Sequence, residues 1–265
     1  MTKVLILNQA TFDPDYFIID ALSRTTWSYR THPDVHTIHY YGSKDSRGDT
    51  FSGFKHLPAE NSCTVYSPTL SNYNNEIMVC DSYDVLNSSV HVDPRNIKLI
   101  MAYEYALNNY DFDFVVRVCN TTYVDIPKMH RFFDNYPRKT RVYNGARNLY
   151  NYDYYFVSGF GNYMSRDVVE QLVNHKEEFL QLTEPFNIED LAVGYMVMHR
   201  LECAENGKAG YVDSDTINHV LARDYINDFT VDQYNPDDDA FMYRFGLTAE
   251  NIERYMQLHN MLIKN

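Results

Sequence analysis

Long apolar segments and a basic surface are both missing from this chain of 265 residues. No run approaches the roughly 18 uncharged apolar residues of a membrane-spanning helix, so we expect no membrane span. The 23 Lys and Arg residues are outnumbered by 36 Asp and Glu, which leaves a formal net charge of −13. Because sequence-independent binding to nucleic acid needs a basic face, we expect no nucleic-acid partner. The hydrophobic content of 45% also excludes a disordered acidic chain.

Cysteine is scarce and follows no metal-binding pattern. The four cysteines are widely spaced, with no CxxC pair and no Cys/His motif: Cys63, Cys80, Cys119 and Cys203. We therefore expect unbridged thiols in a reducing compartment. The first apolar run covers only residues 4–7, so it is typical of a buried strand rather than of a signal peptide. These features predict a cytoplasmic protein.

Several enzyme signatures are also absent. The sequence contains no GxxxxGK[ST] loop, no GxSxG elbow and no HExxH, which disfavours P-loop nucleotidases, α/β-hydrolases and zincins. The run of residues 237–239 is three aspartates, but it follows Asn235-Pro236. We interpret it as a solvated turn rather than as a metal motif.

Strand-like segments alternate with helices that carry capping signals. The strand-like segments cover residues 4–7, 36–41, 76–80, 112–118 and 154–157, whereas residues 43–61 have the composition of a loop. Helices are predicted to begin after Asp13, Asp93, Ser165, Asn187 and Thr248, the one after Ser165 reaching about residue 182. No repeat or linker interrupts the pattern. It predicts one α/β domain, with helices on both faces of a sheet and ligands beyond the carboxyl ends of its strands.

Three short segments carry residues suited to chemistry. They are the end of the central strand at 117–124, the turn from Ser158 through Gly159 to Gly161, and the pair Glu189-Asp190. Each has a simpler interpretation. The glycine turn is more often a close-packed turn than a phosphate cradle. The two acids are equally suited to complement a helix dipole in its first turn.

The order of these segments resembles glycosyltransferase family 31, which comprises the β-1,3-galactosyl- and N-acetylglucosaminyltransferases and the fringe enzymes. Five elements resemble family motifs and span residues 1 to about 220: Arg24-Thr25-Thr26-Trp27, Asp81-Ser82-Tyr83 with Lys98, Phe114-Val115-Val116-Arg117 with Tyr123-Val124, the turn from Tyr155 to Ser165, and Glu189-Asp190 with Val193-Gly194.

The resemblance implies a GT-A-like fold, that is, a Rossmann-like mixed β-sheet flanked by helices on both faces. The nucleotide-binding part would cover about residues 1–125 and the acceptor side about 126–265 of a single domain. It further implies inverting transfer of a hexosyl or N-acetylhexosaminyl group from a nucleotide sugar, usually a UDP-sugar, to a glycan hydroxyl. Asp190 would remove the proton of that hydroxyl, and Glu189 would orient the acceptor.

The sequence departs from the family at its metal motif. The resemblance places Cys119, Asn120 and Thr121 where family members carry the D-D-D run that holds Mn²⁺. Neutral oxygens and a thiol are poor ligands for a hard cation, so we expect no metal, or weakly bound Mn²⁺ or Mg²⁺. The remaining metal candidates are Thr121 and His219. We expect the donor to contact Arg24, Lys98, Arg117, Cys119, Asn120, Thr121, Ser158, Gly159 and Gly161.

Three functions follow from this departure. The first is a metal-independent glycosyltransferase in which basic side chains neutralise the diphosphate of the donor. The second is a non-catalytic module of the same fold that binds a glycan or a nucleotide sugar. The third is a scaffolding subunit of a glycosylation complex, suggested by the acidic surface and the 24 tyrosines. The net charge predicts that the few basic residues concentrate at the donor site.

Overall fold

The computed structural model describes most of the chain. It covers residues 1–29, 32–42, 54–57, 63–68, 75–80, 93–145, 148–151, 154–182, 186, 188–204, 222–224, 234–237 and 240–264, with side chains left out at 54–57, 63–68, 148–151, 154–155 and 222–224. The predictions for Asp81, Asn187 and His219 lie outside these residues.

The described chain contains thirteen strands and seven α-helices. The strands are β1 (Val4–Gln9), β2 (Val35–Gly42), β3 (Phe54–Leu57), β4 (Cys63–Pro68), β5 (Asn75–Cys80), β6 (Phe114–Cys119), β7 (Thr122–Val124), β8 (Tyr143–Gly145), β9 (Asn148–Asn151), β10 (Tyr154–Val157), β11 (Gly161–Ser165), β12 (Ala222–Asp224) and β13 (Met242–Arg244). The helices are α1 (Phe17–Thr25), α2 (Pro94–Asn109), α3 (Ile126–Asp134), α4 (Arg166–Asn174), α5 (Lys176–Leu180), α6 (Glu189–Gly194) and α7 (Ala249–Leu262).

A mixed eight-stranded sheet forms the centre, in the order β3-β4-β5-β2-β1-β6-β11-β8. Its four middle strands, β5, β2, β1 and β6, are parallel, and antiparallel strands extend it on both sides. The chain adds β2 and β5 on one side of β1, then returns through α2 to place β6 on the other side. The strand order therefore reverses between β1 and β6, and this is where open α/β sheets form a ligand crevice.

The sheet separates two apolar layers, because side chains alternate along each strand. Leu5 and Leu7 face a cluster formed with α2, α4, α5 and α6. Val4 and Ile6 face a second cluster formed with α1, α3 and α7. The predicted α/β architecture with helices on both faces is confirmed. Among the described helices, none combines the length and the apolar character needed to cross a bilayer.

Helix starts agree with their sequence signals where a proline follows the capping residue. Asp13 and Asp93 each accept a backbone N–H two residues on, at 3.0 and 2.9 Å, and Thr248 caps α7 in a similar way. Ser165 occupies the cap position of α4, but its hydroxyl instead donates to Asp167 at 2.6 Å.

Two sequence expectations about secondary structure are wrong. The helix expected from Ser165 to about residue 182 is interrupted at His175: α4 ends at Asn174, and α5 runs from Lys176 to Leu180. At this interruption the ring of His175 donates to the Gln171 carbonyl at 2.8 Å. The expected loop 43–61 contains β3, which pairs antiparallel with β4. A local composition of Gly, Ser and Pro gives no sign of that cross-strand partner.

Candidate functional site

The candidate site lies at the carboxyl edge of the parallel strands, at the crevice between β1 and β6. Gln9, the last residue of β1, is paired with Cys119, the last residue of β6. Arg117 lies two residues earlier on β6, opposite Leu7. Strand register therefore brings Gln9 and Arg117 to the same edge, where their side chains are hydrogen-bonded.

Arg117 is the centre of this group. Its guanidinium forms an ion pair with Glu189, and it also donates to the side-chain oxygen of Gln9 and to the carbonyl of Gly159. Only 3% of the side chain is exposed. Burial, the largest single effect, opposes the charge of the guanidinium, but Glu189 together with Tyr40, Asp190 and Cys119 raises the pKa of Arg117 well above its usual value. Arg117 is therefore a permanent buried cation.

Glu189 is the buried acid of the pair. Its second carboxylate oxygen accepts the side-chain N–H of Gln9 at 2.7 Å, so both oxygens are bound within the protein. Burial raises the pKa of Glu189, although Arg117 acts in the opposite direction. Because both oxygens of Glu189 are bonded and its side chain is only 5% exposed, the carboxylate orients Arg117 and Gln9 and is shielded from solvent.

Asp190 is the accessible acid. Its side chain is 29% exposed, and Oδ1 lies 4.0 Å from Nη1 of Arg117. The other oxygen accepts the backbone N–H of Gly159 at 2.7 Å. Adjacent residues at the start of α6 thus differ in role: Glu189 is buried and neutralised, whereas Asp190 is fixed in place and open to solvent.

Gly159 is required at its position by the closeness of these neighbours. A Cβ added there would lie 2.1 Å from Oδ1 of Asp190 and 2.5 Å from Nη1 of Arg117. Gly161 has a different role, because it begins β11 and pairs with Val118 of β6. Ser158 closes the turn between them through its carbonyl, which accepts the N–H of Gly161 at 3.2 Å. The glycine turn is close-packed, and it also presents one N–H to Asp190.

The helix that carries the two acids changes its winding after one and a half turns. α6 ends at Gly194 and continues as a π-helix over Tyr195–Arg200. π-Helical turns are uncommon and often adjoin functional sites. The ring of Tyr195, the first residue of the π-helix, stacks on the ring of Phe186 with a centroid distance of 4.2 Å. This contact holds the start of the π-helix in place.

Two further cations lie at the same edge. Lys98 is buried, and its ammonium donates to the carbonyl of Ala10 at 3.0 Å. Arg95 lies in the first turn of α2 with 41% of its side chain exposed. The hydrogen bond from Arg95 to Asp93 is the main cause that raises the pKa of Arg95, and the charges of Glu189 and Asp190 add to it. Arg95 is thus a solvent-accessible cation near the acids.

The charge of this edge is balanced. The cations Arg95, Lys98 and Arg117 stand beside the carboxylates of Asp93, Glu189 and Asp190. Among the described residues of this edge, three cations are therefore matched by three carboxylates, and the expected concentration of basic residues at the donor site stays a prediction. Arg24 is held elsewhere, on the α1 face of the sheet, where its Nε donates to Asp20 at 3.1 Å.

The segment Cys119-Asn120-Thr121 carries no carboxylate. The Cys119 sulfur lies 2.9 Å from the Thr121 hydroxyl, and Asn120 binds β1 through its backbone N–H, which donates to the Gln9 carbonyl at 3.0 Å. The side-chain amide nitrogen of Asn120 is buried and has no hydrogen-bond partner in the part of the chain that the structure describes. An orphaned N–H donor suits an anionic or hydroxyl-bearing ligand and cannot bind a cation. The described residues at this position therefore do not fit a hard divalent ion.

Gln9 and Arg95 were not among the candidate residues of the sequence analysis. Gln9 is a polar residue at the carboxyl end of an apolar strand. Because ligands of open α/β sheets bind at that end of the strands, this position is a sequence signal for a site residue. Arg95 follows the Asp93 cap by two residues and has no signal beyond its charge. Its position near Glu189 depends on a tertiary contact between distant segments.

Solved structures with a similar fold are glycosyltransferases. The chain superimposes on the galactosyltransferase LgtC in complex with donor and acceptor sugar analogues with a TM-score of 0.50 and 11% identity, over 97% of this chain and 95% of that one. An active-site mutant of LgtC gives a TM-score of 0.45 at 10% identity, over 97% and 95% of the two chains. The glycosyltransferase GlyE of Streptococcus pneumoniae TIGR4 gives 0.40 at 10% identity, over 75% of this chain.

The chain spans 44% of the length of GlyE. The likeness to LgtC shows a GT-A-like fold, as expected from the sequence. No family model matches the sequence, and no curated protein is similar to it in sequence. Membership of glycosyltransferase family 31 therefore stays a prediction.

Proposed function

We propose that this protein transfers a sugar from a nucleotide-sugar donor, in the first instance a UDP-sugar, to a hydroxyl group of a glycan. The observation that carries the proposal is the placement of Asp190: an accessible carboxylate, fixed by the Gly159 N–H at 2.7 Å, at the crevice where the strand order reverses. The fold shared with LgtC supports the same reaction class.

The two acids would then have separate tasks. A general base must reach the proton of the attacking hydroxyl, and Asp190 is the exposed acid of the pair. As the acceptor oxygen attacks the anomeric carbon, its proton passes to Asp190 and the bond from that carbon to the diphosphate breaks. Attack from the face opposite the leaving group inverts the anomeric configuration. Glu189 supports this step by holding Arg117 and Gln9 in position, rather than by contacting the acceptor.

The leaving diphosphate develops negative charge that must be stabilised. Arg95 is accessible and close to the acids, and the orphaned amide of Asn120 adds a neutral donor at the end of β6. We assign the diphosphate to this side of the crevice. Lys98, which is buried at the same edge, contributes fixed positive potential behind it, whereas the charge of Arg117 is balanced by Glu189. Because Cys119-Asn120-Thr121 does not fit a hard cation, transfer without a divalent metal is part of the proposal.

A panel of UDP-, GDP- and dTDP-sugars, incubated with mixed glycan acceptors and with either EDTA or Mn²⁺, tests the proposal. We expect one donor class to give a glycosylated product whose yield is unchanged by EDTA. NMR of the new anomeric centre should show inversion. Retention would remove Asp190 from the role of base while leaving transfer itself intact, and strict dependence on Mn²⁺ would overturn the metal-free step.

A second function is favoured by two observations. Both oxygens of Glu189 are bound within the protein, and the metal motif of the related enzymes carries no carboxylate here. These features are also suited to a non-catalytic module that binds a nucleotide sugar. Saturable donor binding without any product over the same panel would establish this second function.

A further inference from the structure

A second cluster of ligand-type side chains lies far from the candidate site. His32 and Asp34 immediately precede β2, and His130 is in α3. Potential ligand atoms of the three residues all lie within 4.8 Å of one another. The Val4 N–H donates to the Asp34 carbonyl at 2.8 Å, which places the cluster beside the first residue of β1. Gln9, at the candidate site, is at the other end of that strand, about 17 Å away.

Nε2 of His130 and Oδ2 of Asp34 have no hydrogen-bond partner among the described residues. Nε2 of His130 lies 3.8 Å from Oδ2 of Asp34, which is too long for a hydrogen bond. Both atoms are buried without a hydrogen-bond partner, and His130 as a whole is only 8% exposed. Buried polar atoms usually have a hydrogen-bond partner, and these two belong to one compact cluster of ligand-type side chains, so the space between them suits a bound ion.

The surroundings of His130 resemble the support that metal-binding histidines usually have. Its Nδ1 lies 3.4 Å from the Asp134 carboxylate, one helical turn along α3. Asp134 is itself fixed by the backbone N–H of Thr2, which donates at 2.8 Å. A carboxylate beside Nδ1 favours the proton there, so Nε2 presents its lone pair to the space shared with Asp34.

His32 completes the cluster from the other side. Its ring lies over that of His130 with centroids 4.1 Å apart, and the Asp34 backbone N–H donates to its Nδ1 at 3.2 Å. Because Nδ1 of neutral His32 accepts that N–H, its proton is on Nε2, so His32 binds a metal ion at Nδ1 in exchange for this hydrogen bond. Two imidazoles and one carboxylate then form a set of neutral nitrogen and anionic oxygen ligands. That set suits Zn²⁺ better than Mg²⁺ or Ca²⁺, which prefer oxygen ligands alone.

We propose that His32, Asp34 and His130 bind one Zn²⁺ ion, with a water molecule as the fourth ligand. Ligand atoms of a tetrahedral zinc ion lie about 3.3 Å apart, so the observed spacing closes by small side-chain rotations. The ion joins the turn before β2 to α3, and through Asp134 it also supports Thr2. Its role is to stabilise the amino edge of the sheet, independently of sugar transfer at the opposite edge.

The test uses the full-length chain without a histidine tag, treated with EDTA, dialysed and titrated with Zn²⁺ alone. Calorimetry should show one tight equivalent, and the melting temperature should rise with Zn²⁺ concentration because the ion binds the folded state. His130→Gln and Asp34→Asn should each lose that equivalent. The half-buried His175, which lies outside the cluster, supplies the matched control: His175→Asn should bind Zn²⁺ as the wild type does.

Two further measurements keep the proposal testable if a ligand variant folds poorly. Asp134→Asn leaves all three ligands in place and should weaken Zn²⁺ binding about 10- to 100-fold, the usual cost of losing an outer partner. Co²⁺ added to the wild type should give the intense visible absorption of a four-coordinate site. Weak six-coordinate absorption, no saturable Zn²⁺ binding, or undiminished binding in both ligand variants would overturn the proposal.

Discussion

Arg117 and Glu189 form an ion pair in which the two side chains keep only 3% and 5% of their exposure. Burying both charges costs solvation free energy, which the bonds from Gln9 and Gly159 offset in part, while Nε of Arg117 is buried without a hydrogen-bond partner among the described residues. The pair is therefore sensitive to loss of either partner. The pair also holds Glu189, the first residue of α6, in place. The next residue, Asp190, is accessible to solvent.

Removing one member of the pair should destabilise the protein more than removing both charges. Arg117→Gln or Glu189→Gln alone leaves one buried charge without its partner, and we expect each to lower the free energy of unfolding by about 3–5 kcal/mol. The double variant should lose less than the sum of the two single variants. Urea unfolding of all four proteins measures this coupling. Additive losses would show that the pair is not energetically linked.

Gly159→Ala should reduce turnover without unfolding the chain. The new methyl group would lie 2.1 Å from Oδ1 of Asp190 and 2.5 Å from Nη1 of Arg117, so both side chains must move, the accessible Asp190 more easily than the buried Arg117. Displacement of a reacting group by about 1 Å can cost about 100-fold in rate. Comparing kcat of Gly159→Ala, Asp190→Ala and their double variant tests the cause. The double variant should be no slower than Asp190→Ala, and a further large loss would point to a separate role for Gly159.

Arg95→Gln should weaken use of the donor. The side chain is 41% exposed and close to the acids, and we assign it to the diphosphate. Loss of one hydrogen bond to a charged group costs about 1.5 kcal/mol, so KM for the nucleotide sugar should rise about tenfold. Arg200→Gln is the control, because Arg200 is more exposed and pairs with Glu178. Equal effects of the two substitutions would argue against a donor contact.

His39 should make the fold sensitive to acid. The ring is fully buried: Asn8 and Ser28 lie 2.9 and 3.0 Å from its two nitrogens, and burial lowers its pKa from 6.5 to about 3. Between these values the unfolded chain binds a proton that the folded protein does not, so stability is lost as the pH falls. This group alone should lower the free energy of unfolding by about 2 kcal/mol from pH 7 to pH 5.

Urea unfolding of His39→Gln at the two pH values checks this expectation. The variant is less stable at both, but it should lack the part of the pH dependence that His39 contributes. His175→Asn should keep the wild-type dependence. An unchanged slope in His39→Gln would mean that other groups govern acid sensitivity.

The sequence was informative where a signal is local. Asp13 and Asp93 precede prolines, so α1 with its preceding turn and α2 begin as expected, and the apolar strands β1, β2, β5 and β6 agree with prediction within two residues. Glu189 and Asp190 were recognised as a pair. What the sequence could not show is which of them is buried, because that depends on Arg117 and Gln9 from distant strands.

The zinc candidate was missed for the same reason. His32 and Asp34 lie far along the chain from His130, and no short motif relates them. Only the return of the chain through α3 to the amino edge of the sheet brings the three together. The missed strand β3 is a different case, because only residues 58–62 separate it from its partner β4, and the Gly-, Ser- and Pro-rich composition around it concealed a local hairpin.

The central claim is that Asp190 acts as the general base of sugar transfer. The most direct test measures the release of nucleoside diphosphate by the wild type and by Asp190→Asn side by side. The variant keeps an oxygen that accepts the Gly159 N–H, so its melting temperature should match that of the wild type. With the preferred nucleotide sugar and an acceptor, the wild type should turn over, and the variant should be about 100- to 10,000-fold slower. Equal rates in the two proteins, or no release by the folded wild type with any donor, would contradict the account.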